Sequence, residues 1–214
     1  LPIWPSAATS ELPSVVADPA GNVYMAYVAS GAVPGGVKVN GARDLVVLSV
    51  GPTGALRWLL QGPILNPSNF LFQDIATPYI TRDNYGNLFV SVVATVGGPA
   101  QNVVVYKLDP SNGTLRWSYG SNYPFYFLAR SGAPGAQFNS VNNAYSKTPV
   151  VRYANNIYMG LYTTQSLPST AHVSAGNDFC IVAYSERTNA IGKDAYTYVS
   201  NKTICACGGS CDCI

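Results

Sequence analysis

The chain has 214 residues, 48% of them hydrophobic and only 10% charged, with a formal net charge of +2, against about 25% charged in an ordinary soluble domain. So small a charge, with no Lys/Arg cluster, argues against nucleic acid as a partner, and no apolar run reaches the roughly 18 residues of a membrane-crossing helix. Solubility rests on Gly, Ser, Thr, Asn, Pro and the 15 Tyr, a balance suited to a secreted or particle-surface β-protein.

The chain opens LPIWPSAATS (1–10), without Met, as expected of a chain that has lost a leader or of a piece of a longer precursor. Trp4 is a candidate anchor to a neighbouring sheet or chain. From residue 11 the sequence repeats. A first unit, 11–65, has a leading strand ELPSVVAD, a turn and second strand DPAGNVYMAYV, a loop SGAVPGGVKVNGAR, a third strand DLVVLSV (44–50) and an outer strand entered through GPTGALRW. A second unit, 73–124, follows the same order: ATPYITRD, DNYGNLFVSVV, the loop TVGGPAQ, NVVVYKL (102–108) and DPSNGTLRW. A third, 140–204, is weaker: KTPVVRYA, YANNIYMGLY, TQSLPSTAHVSAGN, DFCIVAY (178–184) and SERTNAIGKDAY.

The turns at Gly21-Asn22, Gly86-Asn87 and Asn155-Asn156 occupy equivalent places, 65 and 69 positions apart. Gly and Asn tolerate the positive φ that two-residue hairpin turns demand, and the apolar and aromatic runs after them read as buried strands. The phrase Leu-Arg-Trp occurs twice, which puts Trp58 and Trp117 at matching packing positions. The third copy has lost the Trp, and Tyr196 or Tyr198 fills its place. No stretch has helical periodicity. The expected fold is all-β, with twelve strands grouped as three four-stranded antiparallel meanders.

D-x-x-G-N-V-Y, followed by D-L-V-V-L and then G-x-L-x-W, resembles the β-propeller repeat of SBBP type. It is also similar to the blades of quinoprotein (pyrroloquinoline quinone) propellers, whose units end in a TG-x-x-x-W docking phrase. The resemblance covers 11–204 as three copies. It implies propeller-like blades and no particular activity, because that architecture hosts unrelated functions. Three copies do not close a ring, so the resemblance implies an incomplete propeller or one completed by assembly.

The tail 205–214 carries Cys205, Cys207, Cys211 and Cys213, with Cys180 upstream in an apolar strand. Four clustered thiolates suit tetrahedral zinc, but zinc sites favour C-x2-4-C pairs over the C-x-C pairs found here. In a secreted chain, disulfides are the first expectation, with a free buried thiol the plain reading of Cys180. Asn112 (NGT) and Asn201 (NKT) are glycosylation sequons. The stretch NYPFYFLA (122–129) is too apolar for an exposed loop, which makes Tyr123, Phe125, Tyr126 and Phe127 candidates for core or for a chain–chain contact.

No catalytic, cofactor-binding or metal-binding residue stands out. His172, the only histidine, has no acidic partner nearby in sequence. Most of the ten acidic residues, Asp18 and Asp83 among them, sit at repeated turn positions, where a carboxylate shapes the turn; calcium ligation is the less favoured reading. The expectation is a non-enzymatic structural or interaction protein, extracellular or on a particle surface, assembling with copies of itself or with other coat proteins and without a cofactor. The alternative is a fragment or subunit of a propeller lectin or quinoprotein-like enzyme that binds a sugar or cofactor.

Overall fold

A computed structural model describes residues 10–66, 70–72, 77–96, 101–116, 125–127, 151–153, 156–163, 178–188, 194–197 and 204–206. These residues are all-β and antiparallel, and none of them is helical.

The first sheet is the expected meander: β1 (Ser10–Ala17), β2 (Val23–Ala29), β3 (Asp44–Val50) and β4 (Leu56–Leu60), paired in chain order. Alternation divides β2 and β3 between two apolar faces. Tyr24, Ala26, Leu45 and Val47 belong to one core cluster, and Tyr27, Ala29, Val46 and Leu48 to another. Burial on both faces is why DLVVLSV shows no polar alternation.

Each Asp-x-x-Gly-Asn turn is a three-residue hairpin loop, one residue longer than expected. The Asp18 N–H donates to the Asn22 carbonyl at 2.9 Å and the Gly21 N–H to the Asp18 carbonyl at 3.0 Å; Asp83, Gly86 and Asn87 repeat this geometry. Gly21 at φ +81° and Gly86 at φ +89° take the left-handed position that such a loop requires. The Gly therefore ends the loop, and the Asn closes it against the Asp.

The second sheet holds β5 (Phe70–Phe72), β6 (Tyr79–Arg82), β7 (Leu88–Val96), β8 (Gln101–Leu108) and β9 (Phe125–Phe127). It has five strands rather than four because its edges are built in pieces. β6 pairs with residues 88–91 of β7 and β5 with residues 94–96. On the far side, β9 pairs with residues 103–105 of β8, while Leu115 of the repeated phrase bridges Leu108.

The third sheet pairs β10 (Val151–Tyr153), β11 (Asn156–Thr163), β12 (Asp178–Thr188) and β13 (Asp194–Thr197) in order, and β14 (Ile204–Ala206) pairs with β12 beside β13. It too has five strands instead of four. Again a long strand outruns its short neighbour, and a later segment takes the vacant length of edge.

The first two sheets share a core. Tyr24, Leu45, Val47, Trp58 and Leu65 from the first unit pack with Ile80, Leu88, Val90, Tyr106 and Leu108 from the second. The Tyr106 hydroxyl donates to the Leu65 carbonyl at 2.6 Å, and the Ile80 N–H to Ser14 Oγ at 3.1 Å. Three buried polar residues hold the loops of the first unit. Asp44 accepts from the Val39 and Asn40 amides, and Gln61 bonds Val33, Gly31 and Asp44. Asn66 accepts from the Leu45 amide and donates to the Leu45 carbonyl. Buried polar groups partnered in this way fix one loop conformation.

Candidate functional site

The most elaborate arrangement of side chains among the described residues is the joint where the first unit meets the second. It is built on the first of the two Leu-Arg-Trp phrases. In β4 the register runs Ser49↔Trp58 and then Val50↔Leu56, so Arg57 is the extra residue of a β-bulge. A bulge re-aims a side chain. Here it lets Arg57 and Trp58 both reach the turn of the second unit. Trp58 Nε1 donates to the Pro110 carbonyl at 2.9 Å, and Arg57 Nη1 approaches the same oxygen at 3.4 Å.

That turn is shaped to receive the indole. Gly113, at φ +76°, is buried, and a β-carbon there would stand 2.8 Å from Trp58 Cε3 and 3.0 Å from Cδ2. Tyr24 supports the indole from its own sheet, with ring centroids 6.1 Å apart and planes tilted by 37°. A polar relay continues behind it. Arg57 Nη1 donates to Ser49 Oγ at 3.1 Å and to the Tyr24 hydroxyl at 3.4 Å, and that hydroxyl donates to Asp18 Oδ2 at 2.9 Å.

The Asn22 side-chain amide, followed by its backbone amide and the Tyr24 hydroxyl, outweighs partial burial and holds the Asp18 carboxyl down at about 2. Burial, reinforced by Asp18, raises the Tyr24 phenol above its ordinary value. Hydrogen bonds from Ser111, then from Arg116, lower the Asp109 carboxyl, and Arg116 Nη2 lies 2.6 Å from Asp109 Oδ2. The first unit has Gly51 where the second has Asp109. Arg57 therefore lacks the local carboxylate that Arg116 finds and reaches across the joint.

The Asp18 and Asp83 carboxylates both close their own turns. Asp83 Oδ1 accepts from the Tyr85 and Asn87 amides and its Oδ2 from Asn87 Nδ2. Asn112 is exposed in the receiving turn, where its side-chain oxygen accepts from the Thr114 amide. Phe125, Tyr126 and Phe127 form β9, whose backbone completes an edge of the second sheet. Cys180 lies in β12 and Cys205 in β14. Trp4, Trp117, Tyr123, His172, Asn201, Cys207, Cys211 and Cys213 lie outside the described residues.

Sequence reasoning missed Pro110, whose role rests on a backbone oxygen, and the buried set Asp44, Gln61 and Asn66. Gln61 did carry a signal: a lone amide between the apolar runs LRWLL and GPIL. No family model matches the chain, and no curated protein matches it.

Proposed function

We propose that the chain is a non-enzymatic structural protein of a secreted or particle-surface assembly. Its three sheets act as propeller-type blades that dock unit on unit and go on to dock chain on chain. One observation carries this reading: Trp58 seats in the turn of the following unit, while the matching turn of its own unit presents Pro52, Thr53, Ala55 and Leu56 to solvent. That open turn is the acceptor for an indole from another copy. Few charges oppose such contacts. Among the described residues there is no helix long and apolar enough to cross a membrane.

The test is size-exclusion of the native chain beside the double variant Thr53→Glu, Leu56→Glu. Both side chains are exposed, so folding and the circular-dichroism spectrum should not change. Two carboxylates on the acceptor turn should shift the protein from an assembled to a single-chain elution volume. An unaltered elution volume would show that this turn receives no partner. Affinity of a single chain for a saccharide panel would support the lectin reading instead.

A further inference from the structure

The third sheet pairs residues that lie far apart in sequence. β14 runs antiparallel to β12 with the register Phe179↔Ala206, Cys180↔Cys205 and Ile181↔Ile204. Two of the five cysteines in the chain thus stand directly opposite each other on neighbouring strands.

Directly opposed residues of an antiparallel pair have Cα atoms about 4.5 Å or about 5.5 Å apart, depending on the hydrogen-bonding class of the position. Both distances fall inside the roughly 4.4–6.8 Å window that a disulfide spans without moving the backbone. No other pair of cysteines is brought into register among the described residues.

We propose that Cys180 and Cys205 form a cross-strand disulfide that staples β14 to the edge of the third sheet. β14 has three residues and pairs with β12 beside a separate strand, β13. So short an edge strand gains little from its own ladder, and a covalent link supplies what the ladder lacks.

The oxidant is a small-molecule disulfide of the glutathione type. One cysteine thiolate attacks it, forming a mixed disulfide and releasing one small thiolate. The second cysteine thiolate then attacks the protein sulfur and displaces the other. One protein disulfide forms, one small disulfide is reduced to two thiols, and the two protons lost by the cysteines end on those thiols. The staple leaves Cys207, Cys211 and Cys213 in the tail. The assignment rests on the register of one sheet and stands or falls separately from the assembly reading.

The experiment uses the full chain refolded with a glutathione redox couple, alkylated without reduction and digested with trypsin. Cleavage after Arg152, Arg187 and Lys202 puts Cys180 in peptide 153–187 and all four tail cysteines in peptide 203–214. The expected result is that these two peptides are linked in material from the single-chain band of a non-reducing gel. Cys205→Ala should leave Cys180 fully alkylated, whereas Cys207→Ala should keep the link. Cys180→Ala gives the reciprocal reading if the Cys205→Ala chain folds poorly. Alkylated Cys180 in the unreduced wild type, a link that survives Cys205→Ala, or a link confined to a dimer band would each overturn the proposal.

Discussion

Replacing Gly113 with Ala puts a methyl carbon 2.8 Å from Trp58 Cε3 on a backbone at φ +76°. Two penalties combine. An L-residue held in the left-handed region costs about 1–2 kcal/mol, and a methyl forced into a filled contact costs about 1–3 kcal/mol. The loss for Gly113→Ala is therefore about 2–5 kcal/mol. Gly35 supplies the control: it sits at φ +84° with nothing within 4 Å of the added carbon, so only the backbone penalty applies. Trp58→Ala alone should cost about 3–5 kcal/mol, as large buried aromatics do. In the double variant the clash has lost its partner, so the two losses should fall short of additivity by about 1–3 kcal/mol. Urea unfolding of the wild type and the four variants, followed by tryptophan fluorescence and circular dichroism, measures each value. Equal losses for Gly113→Ala and Gly35→Ala, or strict additivity with Trp58→Ala, would refute the joint.

Acid should loosen the same region. The Asp18 carboxyl is held at about 2 in the folded chain, below the ordinary ~3.9 of an unfolded Asp. Its contribution to stability is thus fully present above about pH 4 and disappears as the pH falls towards 2; Asp18→Asn should flatten the pH dependence of the melting temperature in that window, and an unchanged slope would count against the relay. Gln61→Leu removes the side chain that bonds Val33, Gly31 and Asp44. Two backbone groups left without partners cost about 2–4 kcal/mol, and limited trypsin digestion should cut after Lys38 or Arg43 well before it cuts the wild type there.

The Asp-x-x-Gly-Asn turns and the strands around them were legible because each is a local pattern. A carboxylate, a Gly and an Asn at fixed spacing determine the hairpin without help from the rest of the chain. The turn that precedes each Leu-Arg-Trp phrase was legible as well, but the bulge that turns Arg57 towards Pro110 was not. A bulge is a mismatch between two strands, and one strand alone does not reveal it. The edge pieces β5, β9 and β14 were missed for a related reason. Three residues carry no periodicity, and such a piece becomes a strand only because a longer neighbour leaves part of its edge unpaired. FYF read as core or as a chain–chain contact, and the pairing of its backbone with β8 was not foreseen. Among the site residues, the repeats pointed to Trp58, but its acceptor is a carbonyl, and every residue has one.

The proposed assembly requires that the kind of joint formed between the first two sheets also forms between chains. Multi-angle light scattering of the native 214-residue chain at several concentrations tests it most directly. The account predicts a mass at least twice that of one chain, falling to the single-chain value when Thr53 and Leu56 are both replaced by Glu. A single-chain mass for the wild type across the whole concentration range would contradict it.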